Sequence, residues 1–195
     1  MSRLPMLTKD QLNEAQRRLH DNLTGGERAK APRKFPLENE DGSLNGPFNV
    51  YLYKPEIGDV VQKLGHELRF ASDLSGQLRE VAIITVAQHW RSNYEWFAHS
   101  LIAQKEGVSD EAIAMIKDGK APTGNDEWAL VHRLVSEFLK TTRVSDATYG
   151  QAIKAFGEAA TSELVILAGF YCMVSGVLNV FEVGMPPGEE LPFGA

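Results

Sequence analysis

Apolar residues recur every three or four positions along most of the chain, and no stretch alternates apolar and polar residues as a half-buried strand would. Apart from one proline-rich segment, Gly, Pro, Ser and Asp fall between these stretches, where helices begin and end. The pattern predicts helices over 57–68, after Ser75, after Ser92, over 109–119, over 126–139, after Ser145 and over 164–181. The predicted fold class is all-α.

The stretch 46–70 has two interpretations. It is either one helix interrupted at Pro55, or a short turn followed by a helix. In both cases the helix is expected to bury one apolar face, which consists of Ile57, Val60, Val61, Leu64 and Leu68.

The N-terminal region begins with a capping box, T-K-D-Q, at Thr8. Apolar residues from Leu12 to Leu23 follow at helical spacing, and Gly25 and Gly26 are typical stop signals. We therefore predict a short amphipathic helix that starts at Thr8.

The segment 24–47 contains three prolines and few large apolar residues, and it is basic in its first half and acidic in its second. This composition is typical of a solvated linker or arm. The expected organisation is an N-terminal helix and arm over 1–47, followed by an all-helical domain over 48–195.

Composition narrows the possible functions. The 195 residues carry a formal net charge of -6, which argues against nucleic acid as the main partner. The single cysteine, Cys172, excludes an intramolecular disulfide and a two-thiol redox cycle within one chain. With no signal-peptide pattern at the N-terminus, we expect a cytoplasmic protein.

The stretch Leu164–Phe181 is uncharged and reaches the lower length limit of a membrane span. It is flanked by Glu163 and Glu182 rather than by Lys or Arg. We interpret it as a core or interface helix of a protein with no membrane partner.

Glu80, Glu95 and His99 are the candidate proton-transfer residues. Glu95 and His99 share a helix face, and Glu80 lies among apolar neighbours, where desolvation raises a carboxyl pKa. Each residue also has a structural alternative. Ser92 and Glu95 match an S-x-x-E capping box, Glu80 could be an early-turn acid, and His99 could be a satisfied core histidine.

The order of these residues resembles the carboxymuconolactone decarboxylase family of AhpD-like proteins. The resemblance lies in Arg79-Glu80, an apolar run, and the motif Y-E-W-x-x-H at 94–99. The segments 45–48 and 163–179 resemble flanking parts of the family, so that the match covers about 46–185. The peroxidase branch of these proteins has a C-x-x-C pair where this chain has Ser92 and Glu95, so peroxidase cycling is excluded on chemical grounds.

The resemblance implies a cofactor-independent decarboxylase that acts on a carboxylated unsaturated lactone in the degradation of aromatic compounds. His99 would be the general acid, with Glu80 and Glu95 setting its charge or relaying the proton. Arg79 and Arg91 would bind the substrate's negative charge, and Tyr94 and Trp96 could line the pocket. The resemblance also implies a homo-oligomer, trimeric or hexameric.

The remaining histidines give little support to a metal site, and we infer no cofactor. His20, His66 and His132 are expected at the surface or at helix ends. Two alternatives stay open: another lactone or enolate enzyme (an isomerase, dehydratase or hydrolase), and a non-catalytic oligomeric binding protein.

Overall fold

The computed structural model describes residues 2–26 and 35–194, and this part of the chain is helical, which confirms the predicted all-α class. A single 3-10 turn, Lys9–Gln11, precedes the helices. The α-helices of the described residues are α1 (Glu14–Gly25), α2 (Pro47–Leu52), α3 (Pro55–Phe70), α4 (Gly76–His89), α5 (Asn93–Lys105), α6 (Asp110–Lys117), α7 (Asp126–Thr141) and α8 (Asp146–Val180).

The chain divides into two compact units. The first unit comprises Met1–Ala71 and Val177–Glu190, and the second comprises Ser72–Gly176 and Leu191–Ala195. The proposed division at residue 47, into an arm and a domain, stays a prediction.

The first helix begins later than predicted. The capping box at Thr8 closes only the 3-10 turn, and Leu12 is extended. A second capping box then starts α1, in which Asn13 accepts a hydrogen bond from the Gln16 amide. Leu12 is buried nevertheless. Its apolar side chain therefore indicated a buried position and not a helical one.

The expectation of a solvated arm was wrong for its second half. Leu37 and Leu44 belong to the apolar core of the first unit, and the Asn45 amide donates to the Leu37 carbonyl at 2.9 Å. The turn between them places the Gly42 carbonyl 2.9 Å from Nε2 of His20, which is fully buried and not at the surface as expected. The first half of the arm, 27–34, lies outside the described residues.

Helix α3 buries only part of the predicted face: Leu68 is buried and Val61 packs against the core of the first unit. Ile57, Val60 and Leu64 are exposed by 59%, 66% and 44%. Gly58 and Gly65 are buried beside Leu68. A Cβ atom at Gly58 would lie 2.7 Å from the carbonyl oxygen of Tyr51, so the close packing of α2 and α3 depends on the glycine. Hydrophobicity alone cannot identify a close contact that depends on a glycine.

The second unit is arranged around α4, which packs against α5, α6 and α7. Every residue from Glu80 to Ala87 is buried, which explains why α4 shows no apolar stripe. Ser75 caps α4 and Ser109 caps α6, as predicted, through hydrogen bonds from the amides of Leu78 and Ala112.

Helix α8 contains the last two predicted helices, joined at Gly157 (φ 80°), where the backbone is not helical. It buries Leu164, Leu167 and Tyr171 but leaves Val165 and Ile166 exposed. Among the described residues, α8 alone has the length and apolar composition of a membrane span, a property that core helices of soluble proteins share.

Candidate active site

Neighbouring helices of the second unit supply the predicted proton-transfer residues. Glu80 lies in the second turn of α4, and Glu95 and His99 lie one turn apart on α5. Since α4 is buried on all sides and packs against α5, its one carboxylate is held inside the unit. The helix packing therefore brings Glu80 to a histidine that is 19 residues away in sequence.

The two ring nitrogens of His99 each face a carboxylate. Nδ1 lies 2.6 Å from Oε2 of Glu80, and Nε2 lies 3.2 Å from Oε1 of Glu95. The side chains of Glu80, Glu95 and His99 are 1%, 5% and 6% exposed. We call these three residues the carboxylate–imidazole cluster. A neutral imidazole has one donor nitrogen, so two such contacts require an imidazolium or a protonated carboxyl.

The electrostatics favour a proton on the ring. Burial lowers the pKa of His99, but the charges and hydrogen bonds of Glu80 and Glu95 outweigh it, and the pKa is raised from its usual value. Nε of Arg79 lies 3.6 Å from Oε1 of Glu80. Arg79 therefore lies beside the carboxyl group that also contacts His99.

The capping alternative for Glu95 does not describe the structure. Ser92 occupies the N-cap position of α5 but makes no side-chain capping hydrogen bond. The Glu95 carboxylate faces His99 instead. Glu80 is likewise outside the first turn of α4. All three side chains therefore meet in one buried cluster.

Tyr171 was not identified from the sequence. Its ring packs edge-on against the His99 imidazole, with centroids 5.0 Å apart and planes at 80°. Tyr171 is buried on α8 within an otherwise apolar run, and no spacing rule connects it to α5. Tyr171 therefore packs against the imidazole that lies between the two carboxylates.

The predicted substrate-binding residues have different surroundings. Arg79 adjoins the cluster through Glu80, and Tyr94 is buried in the first turn of α5. Arg91 donates to the carbonyl oxygen of Phe193 and lies over the Phe193 ring. Trp96 is buried and packs edge-on against the same ring. The contacts of Arg91 and Trp96 are therefore with the C-terminal segment.

His132 and Cys172 are two further titratable groups, and both lie outside the cluster. His132 on α7 is buried, not at the surface, and burial together with Lys140 lowers its pKa to about 4. Cys172 is half-buried, which raises the pKa of its thiol despite a hydrogen bond from Trp90. Within 2–26 and 35–194, no group of three His, Cys, Asp or Glu residues is arranged to hold a metal ion.

Comparisons with known proteins support the fold. No family model matches the chain, and no curated protein matches it. It resembles a solved structure from Ralstonia eutropha JMP134, described as an alkylhydroperoxidase AhpD core and an uncharacterized peroxidase-related protein. The TM-score is 0.76 and the identity 13%, over 98% of this chain and 94% of that one.

A second structure, an uncharacterized peroxidase-related protein from Silicibacter sp. TM1040, matches with a TM-score of 0.72 and 14% identity. That match covers 96% of this chain and 92% of the other. The chain therefore has the AhpD-like helical fold. At these identities the likeness establishes the fold and not the reaction.

Proposed function

We propose that the protein is a cofactor-independent decarboxylase of a carboxylated unsaturated lactone, similar to 4-carboxymuconolactone, in the degradation of aromatic compounds. The observation that carries the proposal is the buried Glu80–His99–Glu95 cluster, in which each ring nitrogen of one imidazole faces a carboxylate. Such a cluster is suited to hold and deliver a proton near neutral pH without a metal or an organic cofactor.

The reaction needs one bond to break and one proton to move. When the carbon–carboxylate bond breaks, CO2 leaves and its electron pair is delocalised into the lactone carbonyl as an extended enolate. A proton must then reach a ring carbon, and His99 is the source, although both of its nitrogens already face carboxylates. Glu95, the more exposed of these carboxylates, is the group placed to pass the proton to the substrate, and Glu80 holds the imidazolium in place.

Peroxidase chemistry fits this chain poorly, although the structural neighbours are described as peroxidase-related. Reduction of a peroxide by the two-thiol route needs an attacking and a resolving thiol. Ser92 and Glu95 stand at the corresponding positions, and Cys172 is the one cysteine in the sequence. An isomerase, dehydratase or hydrolase of a related lactone would use the same proton chemistry, and product analysis separates these reactions from decarboxylation.

We further propose a cytoplasmic homo-oligomer, trimeric or hexameric, that binds a small-molecule substrate and neither nucleic acid nor membrane. The exposed apolar side chains of α8, among them Val165 and Ile166, support the assembly because burying them against another copy would stabilise it.

The direct test is a screen of carboxylated unsaturated lactones for CO2 release, with the products identified by NMR. The proposal expects at least one lactone to lose CO2 at a rate above the enzyme-free control. Consumption of a lactone without CO2 release would assign one of the other reactions. No consumption of any lactone in the screen would favour the non-catalytic binding protein.

A further inference from the structure

Ser92 has a fully buried hydroxyl group with no hydrogen-bond partner. Burying an unsatisfied hydroxyl costs folding free energy, so such a group calls for an explanation. An N-cap serine usually accepts a hydrogen bond from an amide of the first helical turn, as Ser75 and Ser109 do here. Ser92 occupies the N-cap of α5 without making this bond.

The position of Ser92 relates it to the carboxylate–imidazole cluster. Ser92 is the N-cap residue of α5 and precedes Glu95 by three positions and His99 by seven. The N-terminal end of α5 also carries the partial positive charge of the helix dipole, which favours an anion. Arg79 and both ring nitrogens of His99 already face carboxyl groups of the cluster, so an anionic substrate needs another hydrogen-bond donor.

We propose that Ser92 is a substrate-binding residue whose hydroxyl donates a hydrogen bond to an anionic oxygen, of a carboxylate or an enolate, at the N-terminal end of α5. This inference rests on the proposed function, and it assigns the donor that stabilises negative charge while the cluster supplies the proton. Glu95 lies one turn from Ser92, so the donor and the proton would reach the same small molecule from one helix.

The second unit offers a matched control. Ser175 on α8 is equally buried and its hydroxyl also lacks a partner. Ser92→Ala and Ser175→Ala therefore remove the same buried group from two helices. Neither is expected to lower the melting temperature, because each removes an unsatisfied hydroxyl. Ser92→Gly gives a second variant if alanine packs poorly, since glycine is a good N-cap residue.

The probe is 5-oxotetrahydrofuran-3-carboxylate, a saturated lactone carboxylate, titrated calorimetrically into the full chain. We expect the wild type and Ser175→Ala to bind the probe with the same Kd. Ser92→Ala should bind at least about 10-fold more weakly, because it loses one good hydrogen bond to a charged oxygen. Equal Kd values for all three proteins, equal weakening in both variants, or no binding by the wild type would each overturn the proposal.

The same variants separate this proposal from the assigned reaction. If Ser92→Ala loses probe binding while the wild type releases no CO2 from any lactone, the anion site stands and the decarboxylase assignment falls. If the wild type releases CO2 and Ser92→Ala binds the probe as tightly as the wild type, the reaction stands and the role of Ser92 falls.

Discussion

Nδ1 of His99 lies 2.6 Å from Oε2 of Glu80, and this contact joins α5 to α4 inside the second unit. Both side chains are almost completely buried, so neither charge is stabilised by water. In such a pair the removal of one partner leaves the other as an uncompensated buried charge. The contact therefore controls both the protonation of His99 and the stability of the unit.

Glu80→Gln is expected to change how stability depends on pH. The folded pKa of His99 is raised above its usual 6.5, so its contribution is fully present below pH 6.5 and is lost as pH rises through the folded pKa. Without the Glu80 charge the pKa of His99 falls, so less unfolding free energy is lost as the pH rises. The substitution should also cost about 3–5 kcal/mol of unfolding free energy near neutral pH. Urea unfolding across pH 5–9 measures both effects, and identical pH slopes in the two proteins would contradict the assignment.

Glu95→Gln separates a catalytic role from a structural one. Gln keeps the size of the side chain but cannot accept a proton from His99. We expect turnover to fall by about 10²-fold or more, and the melting temperature to fall as well because a carboxylate is removed from beside a buried imidazolium. Glu111→Gln, an exposed first-turn acid of α6, is the control and should leave turnover unchanged. Loss of stability with full turnover in Glu95→Gln would show that Glu95 has a structural role only.

Spacing and apolar neighbours made Glu80, Glu95 and His99 candidates for proton transfer, and the family resemblance then selected them. The i,i+4 spacing of Glu95 and His99 fixes their shared face once α5 is recognised. Glu80 could be selected because a carboxylate stands within an apolar helix. Their convergence also required the packing of α4 on α5, which spacing alone does not give.

Other features depend on contacts between distant parts of the chain. The buried side of α3 includes Gly58, which lies close to Tyr51 of α2, and hydrophobicity does not predict this close approach. Tyr171 reaches His99 from a helix that is far away in sequence. The segment around Leu37 and Leu44 has the composition of a linker, yet both leucines pack into the core of the first unit. Arg91 was predicted to bind substrate because of its charge. In the structure its guanidinium lies over the ring of Phe193.

Asn93 is expected to hold the C-terminal segment on α5. Its side chain accepts a hydrogen bond from the Phe193 amide at 2.8 Å and donates one to the Gly194 carbonyl at 3.0 Å. Asn93→Leu removes both, so amide exchange of the C-terminal peptide should accelerate in hydrogen-exchange mass spectrometry. Asn22→Leu, which removes an exposed amide in the first unit, is the control. Unchanged exchange in Asn93→Leu would show that Arg91 and Trp96 suffice to hold the segment.

The assembly proposal can be tested on α8 with two matched positions. Ile166 and Tyr149 are both 54% exposed, but Ile166 lies in the apolar part of α8 and Tyr149 lies before Gly157. In sedimentation without detergent we expect a trimer or hexamer for the wild type and for Tyr149→Lys, and smaller species for Ile166→Lys. A monomeric wild type would refute the assembly, and a requirement for detergent would revive the membrane interpretation.

The central claim is that His99 carries the transferred proton, and turnover in ²H₂O with two histidine variants tests it most directly. His132 is the control because it is also buried in the second unit, yet its pKa is lowered to about 4 and it is neutral at the assay pH. On a lactone from the screen, the wild type and His132→Ala should release CO2 and place one deuterium on a ring carbon. His99→Ala should be slower by about 10²–10⁴-fold at unchanged helicity. Turnover of folded His99→Ala at the wild-type rate would contradict the account.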